Sequence, residues 1–218
     1  MTDIPEPRDV GDILRQHFQS GDFQNAFEAV YANAQNGGLI PWDNRGPNPL
    51  LVEWIQREKR VGDKAPALVI GCGLGDDAEY LAARGYAVTA FDVSETAIQM
   101  CCERFPDSQV QYRVADLFAL PAEWANHFAF VFEARTIQAL PWQMSEDAMS
   151  AIARCLRPDG DLLVLCFRRA PQEDRKGIPW PLSTDELNFF KTLGLQEMSF
   201  EEALLNRPMF RVLYHRAR

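Results

Sequence analysis

The stretch from Ala67 to Ala97 limits the possible folds of this 218-residue chain more than any other part of it. It opens with the apolar run Ala67 to Ile70, which predicts a strand buried on both faces of a parallel sheet. A glycine-rich turn follows, then a segment with apolar residues at helical spacing that ends at Gly85. A second apolar run, Ala87 to Phe91, predicts another strand, and this one ends in Asp92. The sequence of strand, glycine loop, helix and strand indicates an α/β fold that holds a nucleotide-like ligand at the loop.

The glycine loop, "GCGLG" at 71 to 75, and Asp92 narrow the kind of ligand. Glycine permits positive φ and lets a ligand lie against the backbone, although tight turns alone also use glycine. Asp92 follows Gly73 by 19 positions, which is where a carboxylate holds the hydroxyl groups of a ribose. A dinucleotide fingerprint needs a third glycine where this chain has Asp76. Asp76 and Asp77 would repel the phosphates of NAD or FAD, but not a cationic sulfonium cofactor.

With these residues the chain resembles the Rossmann-like class I methyltransferases that depend on S-adenosyl-L-methionine, whose first motif reads GxGxG. The resemblance implies that four loop residues lie along the cofactor: Gly71, Cys72, Gly73 and Gly75. It also implies that Asp92, with Val93 beside it, binds the ribose. A third strand is predicted from Val110 to Val114, and the resemblance places the residues after it, Asp116 and Leu117, at the adenine.

The segment before the first strand is predicted to be helical and to carry a lid. Two amphipathic helices are predicted from Asp9 to Asn36, interrupted by "SGD" at 20 to 22, and another from about Pro49 to Glu58. Between them, "PWD" followed by glycine and proline resembles the same region of the thiopurine S-methyltransferase and thiol or halide methyltransferase group. In that group the tryptophan loop closes over the cofactor, so the resemblance makes Trp42 and Asp43 candidates for a cofactor lid. Alternatively, Trp42 fills a small core of its own within the loop.

A fourth strand, Ala129 to Phe132, is predicted to end in Glu133 at the carboxyl edge of the sheet, where ligands bind in this type of fold. The related methyltransferases often have aspartate at this position. Glu133 can orient the methyl acceptor, take a proton from it as a catalytic base beside the cofactor, or simply pair with Arg135. The three histidines, His17, His127 and His215, are predicted to lie away from this edge.

The second half of the chain completes the predicted sheet. Ser145 is predicted to cap a helix that ends before Pro158, and a fifth strand to run from Leu162 to Phe167. The string "LRPDGDLLVL" resembles the segment that leads into this strand in class I methyltransferases, and the runs within 193–202 and 207–218 predict a final antiparallel hairpin. We therefore expect an α/β, Rossmann-like class I methyltransferase fold with helices on both faces of a seven-stranded mixed sheet of order 3-2-1-4-5-7-6, strand 7 antiparallel. We expect one domain over 1–218, with the N-terminal helices and lid loop at 1–60 and the core at 65–218.

Charge and composition exclude several classes of partner. The formal net charge of −9 argues against binding to a nucleic-acid backbone. The longest fully apolar run, Leu162 to Phe167, is too short to span a bilayer, and residues 1–11 lack a basic segment followed by an apolar one, so no membrane association and a cytoplasmic location are expected. The five cysteines lack the spacing of metal ligands, so no metal is expected.

These observations predict S-adenosylmethionine-dependent methyl transfer to a small-molecule acceptor by in-line displacement. A thiol, a thiopurine-like compound or another soft nucleophile is the expected acceptor class, and a thiolate or halide acceptor needs no general base. Two alternatives stay open at this point. The chain could be a non-catalytic module that binds an adenosyl ligand or a partner, or an NAD-dependent oxidoreductase, against which Asp76 argues.

Overall fold

A computed structural model of the chain describes residues 8–175 and 177–218. The strands are β1 (Pro66–Ile70), β2 (Ala87–Asp92), β3 (Gln111–Val114), β4 (Phe128–Ala134), β5 (Leu156–Phe167), β6 (Leu195–Leu204) and β7 (Pro208–Arg216). They form one seven-stranded sheet in the order β3-β2-β1-β4-β5-β7-β6, which confirms the predicted order. β7 is antiparallel to both β5 and β6, as predicted. Residues 1–7, part of the predicted N-terminal segment 1–60, and Lys176 lie outside the described residues.

Helices precede and connect the strands, and local capping fixes several of their ends. They are α1 (Val10–Ser20), α2 (Phe23–Gln35), α3 (Pro49–Arg57), α4 (Asp76–Ala83), α5 (Glu95–Arg104), α6 (Thr136–Ala139), α7 (Ser145–Cys155), α8 (Thr184–Leu187) and α9 (Phe189–Thr192). The Asp9 carboxylate accepts the Asp12 N–H at the start of α1, and Gly21 ends that helix at a φ of 76°. The Ser94 hydroxyl accepts the Ala97 N–H at the start of α5.

The sheet is covered by helices on both faces, because successive side chains of each strand point to opposite sides. From β1, Leu68 and Ile70 enter the core that includes Ile152 of α7. The alternate residues of the same strand enter the core that includes Trp54 of α3. The Trp54 ring stacks on Phe130 of β4, with ring centroids 5.7 Å apart.

Two local predictions were wrong. β5 begins at Leu156 rather than Leu162, because Leu156 already pairs with Phe128 of β4. The register between the two strands then shifts before Asp161, and Pro158 lies in this irregular part of β5. Ser145 is the first residue of α7 rather than its cap, because a 3-10 turn runs directly into the helix. The Ser145 hydroxyl instead donates to the Trp142 carbonyl oxygen at 2.6 Å.

Over the part of the chain that the structure describes, no helix has the length and apolar character needed to cross a membrane. Within the same residues, no group of three or more His, Cys, Asp or Glu side chains is arranged to hold a metal ion.

Candidate active site

The glycine loop leaves β1 in a conformation that larger residues would strain. Gly71 and Gly73 both have a φ of 55°. A Cβ atom on Gly71 would lie 2.5 Å from the Thr136 hydroxyl oxygen, and one on Gly75 would lie 2.5 Å from the Tyr112 hydroxyl oxygen. Glycine is therefore required here both by backbone conformation and by the closeness of neighbouring side chains.

Asp92 joins the end of β2 to the glycine loop. One carboxylate oxygen accepts the Gly73 N–H and the other accepts the Ser94 N–H, each at 3.0 Å. Burial raises the pKa of Asp92 to about 6, although the N–H groups of Ser94, Gly73 and Val93 oppose that rise. Because a carboxylate offers about four lone-pair sites, Asp92 can still accept hydrogen bonds from ligand hydroxyl groups.

A cavity of about 880 Å³ opens above the carboxyl edge of the sheet, between β1, β2, β4 and the N-terminal helices. It brings together most of the residues predicted for the site. They are Trp42, Asp43, Gly71, Cys72, Gly73, Gly75, Asp92, Val93, Asp116 and Leu117. Asp116 also accepts the Phe118 N–H at 2.9 Å, which fixes the turn that carries it.

Trp42 lies over the glycine loop. Its ring nitrogen donates to the Tyr31 hydroxyl at 2.8 Å. A Cβ atom on Gly73 would lie 3.2 Å from that hydroxyl and 3.8 Å from the Trp42 ring. Trp42 also packs against the small core of α1 and α2, so it has the position of a lid and the packing of a loop-core residue at once.

Glu133 is not brought to the cavity with the other predicted residues. Phe132 and Ala134 line the cavity, and the side chain between them points to the other face of the sheet, as strand alternation requires. Glu133 is fully buried, accepts the Ile137 N–H at 3.1 Å, and its second oxygen has no hydrogen-bond partner. Burial raises its pKa to about 7, against the opposing effect of the Ile137 and Thr136 N–H groups.

Two arginines and an aromatic ring on the cavity wall were not predicted as site residues. The guanidinium carbons of Arg135 and Arg207 lie 5.6 Å and 4.2 Å from the centroid of the Phe167 ring. Arg135 has a φ of 70°, an unusual conformation for a residue other than glycine. The position of Arg207 was available from the sequence, because the start of an antiparallel β7 lies at the carboxyl edge of β5. No motif marked Tyr31.

The cavity suits an adenosyl cofactor on the evidence of its own side chains. A buried carboxylate, Asp92, faces the cavity beside a glycine loop that leaves no room for a Cβ, and aromatic rings of Tyr31 and Trp42 cover the loop. Asp76, which the sequence suggested would repel phosphates, pairs instead with Arg104 at 3.0 Å. The argument against a dinucleotide therefore rests on the antiparallel β6–β7 hairpin rather than on the charge of Asp76.

The fold and this cavity define an S-adenosylmethionine-dependent methyltransferase of class I with a Rossmann-like core. Comparison with known proteins goes further: the chain belongs to the thiopurine S-methyltransferase (TPMT) family, whose pattern matches residues 28–211. Thiocyanate methyltransferase 1 of Arabidopsis thaliana is 26% identical over 208 residues, covering 91% of this chain and 84% of that protein.

Two solved structures share the fold. One comes from work on the conversion of a disulfide bond into a thioacetal group during echinomycin biosynthesis; it superposes with a TM-score of 0.75 at 23% identity, over 89% of this chain and 92% of the other. The other, 1,6-didemethyltoxoflavin-N1-methyltransferase from Burkholderia thailandensis, has a TM-score of 0.71 at 15% identity over 93% of this chain and 90% of the other, and holds S-adenosylhomocysteine.

Proposed function

We propose that this methyltransferase acts on the sulfur of a small thiol that has an apolar body and a negatively charged group. The family match and the relative named for thiocyanate, a small sulfur anion, support a sulfur nucleophile. The observation that carries the proposal is the wall of the cavity formed by Phe167 between Arg135 and Arg207.

The charges on this wall favour an anionic acceptor. Guanidinium groups stay protonated at neutral pH, and they bind carboxylates and other anions through charge-assisted hydrogen bonds. Burial lowers the pKa of Arg135, and the negative charges of Asp77 and Glu133 oppose that shift. An anion bound beside Arg135 would therefore offset part of the cost of burying its charge. Much of the remaining nearby wall is apolar, formed by Leu140, Met144, Ile178, Pro179 and Met209.

The side chains on this wall also suit a nucleophile that ionises without help. Among the described residues that line the cavity there is no histidine, lysine or glutamate. Its carboxyl groups belong to seven aspartates, each of which already accepts a hydrogen bond from the protein: Asp9, Asp22, Asp43, Asp76, Asp77, Asp92 and Asp116. A thiol such as that of cysteine ionises with a pKa of about 8.5, and a neighbouring guanidinium favours the thiolate. When bound, S-adenosylmethionine supplies an electrophilic methyl group on a positively charged sulfur. The role of the chain is then to hold the thiolate in line and to exclude water.

The proposal includes the sites and the organisation that the sequence predicted. Gly71, Cys72, Gly73, Gly75, Asp92 and Val93 would hold the methionine and ribose parts of the cofactor, Asp116 and Leu117 the adenine, and Trp42 would cover it. We place Glu133 beneath the site, as a support for Ile137 and not as a base that contacts substrate. The chain would work as one domain, in the cytoplasm, where its five free cysteines would stay reduced.

The test compares thiosalicylate, thiophenol and salicylate as acceptors for the purified protein and its arginine variants. We expect methylation of both thiols, none of salicylate, and a lower KM for thiosalicylate. Arg207→Met should raise the KM for thiosalicylate about tenfold or more, the usual effect of one lost charge-assisted bond, and change the KM for thiophenol less than about threefold.

The variant Arg135→Gly tests the second arginine of this wall. It removes the guanidinium but relieves a backbone conformation that costs about 1 kcal/mol or more. Acceptor KM should therefore rise while thermal stability stays level or increases. Equal rates on salicylate and thiosalicylate, or an unchanged preference for thiosalicylate in both arginine variants, would show that the acceptor is not an anionic thiol.

A further inference from the structure

Helices α1 and α2, here called the N-terminal hairpin (Val10–Gln35), form a layer beside the cavity with a core of their own. That core consists of Ile13, Leu14, Ala26 and Val30. From α2, Phe27 and Tyr31 reach the cavity, and their ring centroids lie 6.1 Å and 5.7 Å from that of Trp42. The position of α2 therefore decides whether the aromatic cover stays over the glycine loop.

Glu28, on the same helix, hydrogen-bonds to the start of α5, directly after the strand end that carries Asp92. One carboxylate oxygen of Glu28 accepts the Ser94 hydroxyl at 2.7 Å and the Thr96 N–H at 3.1 Å. The other oxygen accepts the Thr96 hydroxyl. Through Ser94 and Thr96, Glu28 makes three hydrogen bonds from the hairpin to the start of α5.

The partners of Glu28 continue directly into the glycine loop. Ser94 is fully buried, and its N–H donates to Asp92 at 3.0 Å. Asp92 in turn accepts the Gly73 N–H. A continuous hydrogen-bonded series thus runs from the hairpin through Ser94 and Asp92 to the loop. The negative charge of Glu28 also lies at the N-terminus of α5, where the helix dipole stabilises it.

Glu28 is ionised in this arrangement. Partial burial raises its pKa, but the hydrogen bonds from Thr96 and Ser94 outweigh burial, so that the pKa lies below its ordinary value. An ionised acceptor makes stronger hydrogen bonds than a neutral one.

We propose that Glu28 is a positioning residue that latches the N-terminal hairpin to the start of α5 and so keeps Tyr31 and Trp42 over the cofactor. The inference rests on the assignment of this cavity to the adenosyl cofactor. It predicts that loss of the latch lets the cover open more often and therefore shortens the residence of the cofactor.

The experiment measures S-adenosylhomocysteine binding and dissociation by calorimetry and stopped-flow fluorescence for wild type, Glu28→Ala, Glu28→Gln and Asp12→Ala. Glu28→Ala should weaken binding about tenfold, mainly through faster dissociation, since helix-cap interactions are worth about that factor. Glu28→Gln should stay within about threefold of wild type, because its amide can accept from Ser94 and donate to the Thr96 hydroxyl. Asp12→Ala, an exposed acidic residue of α1 paired with Arg15, should change nothing.

Two further readouts separate positioning from a general loss of stability. At saturating S-adenosylmethionine, Glu28→Ala should recover the wild-type kcat while the KM for the cofactor stays raised. Thr96→Val should weaken binding less in the Glu28→Ala background than in wild type, because both changes break the same latch.

The outcomes are distinct. If Glu28→Ala lowers the melting temperature but leaves the affinity and dissociation rate of S-adenosylhomocysteine unchanged, Glu28 is structural and the latch is wrong. If wild type itself shows no binding, the cofactor assignment of the cavity fails, and the latch fails with it.

Discussion

Asp92 is a carboxylate that the fold keeps almost entirely out of water, with 7% of its surface exposed. Its pKa of about 6 lies above the value of roughly 3.9 for an unfolded chain, so the native state holds its proton more tightly. Stability from this group is therefore greatest at low pH and is lost as the pH rises through about 4 to 6, at a cost of roughly 3 kcal/mol. Ligand hydroxyl groups that donate to the ionised form would recover part of that cost.

This linkage predicts that S-adenosylhomocysteine binds about tenfold more weakly at pH 5 than at pH 8, because most Asp92 side chains are protonated at the lower pH. Calorimetric titration across this range measures how the affinity changes with pH. Asp92→Asn should bind weakly, and its affinity should not change with pH in this way. Glu133 is the matched control, because burial also raises its pKa, to about 7, yet its side chain points away from the cavity. Glu133→Gln should keep this pH dependence, and a pH dependence that survives in Asp92→Asn would reject the assignment.

Single residues were predictable where spacing along the chain fixes their place. Asp92 ends β2 and Asp116 follows β3. Because the carboxyl ends of parallel strands meet at one edge, both line the cavity as predicted. Glu133 also follows an apolar run, but β4 continues through it to Ala134 and turns its side chain to the opposite face. A strand that ended at Phe132 would leave Glu133 in the loop at the edge of the sheet, whereas in β4 the alternation of side chains decides its face. No local signal in the sequence fixes where the strand ends.

At the scale of elements, Gln138 in α6 holds the end of β5 against the loop of Ile178 and Pro179, which lies beside the wall proposed for the acceptor, here called the acceptor wall (Arg135, Phe167 and Arg207). Its amide oxygen accepts the Phe167 N–H at 2.6 Å, and its amide nitrogen donates to the carbonyl oxygens of Phe167 and Trp180. The backbone N–H of Trp180 donates back to the backbone carbonyl oxygen of Gln138 at 2.7 Å. Gln138 thus fixes Phe167 between the two arginines and keeps Ile178 against the cavity.

Replacing this amide should affect stability and acceptor binding together. Gln138→Leu leaves the Phe167 N–H and the Trp180 carbonyl without this partner in a buried site, so the free energy of unfolding should fall by about 2 to 4 kcal/mol. Urea titration measures the loss, with the exposed Gln143→Leu as control. The KM for the acceptor should rise while the affinity for S-adenosylhomocysteine stays within about twofold. A fall in cofactor affinity of the same size as the rise in KM would show that Gln138 does not act on the acceptor wall specifically.

The elements themselves were largely predictable, because the central strands are apolar runs and four of the nine helices in the described residues begin at a side-chain cap. Predictions from caps and apolar runs were wrong where the backbone departs from regular helix or strand geometry. The irregularity between Leu156 and Asp161 lets β5 start before Pro158, which the sequence suggested as a boundary. Long-range ties such as those from Gln138 to Phe167 leave no signal in a single sequence, since they depend on how separate elements pack.

For the whole molecule, the order of the sheet could be predicted from the glycine loop and the final hairpin taken together. The sequence did not predict how the N-terminal hairpin packs against the sheet, because amphipathic spacing predicts a helix but not the element that it contacts. In the structure, a small cluster of Tyr31, Leu74 and Ala97 joins α2, the glycine loop and α5. The two larger cores lie on opposite faces of the same strands.

This arrangement predicts that the chain unfolds as one cooperative unit. The two large cores share β1, β4 and β5, so neither can be lost without exposing the other. The small cluster joins the hairpin to the glycine loop and α5. Differential scanning calorimetry should show one transition with equal calorimetric and van't Hoff enthalpies, of about 150 kcal/mol near 60 °C for 218 residues. S-adenosylhomocysteine at about 100 times its Kd should add about 2.7 kcal/mol to the free energy of unfolding without splitting that transition. A separate early transition of low enthalpy, abolished by the ligand, would mean instead that the N-terminal hairpin unfolds by itself and that residues 1–60 form a second unit.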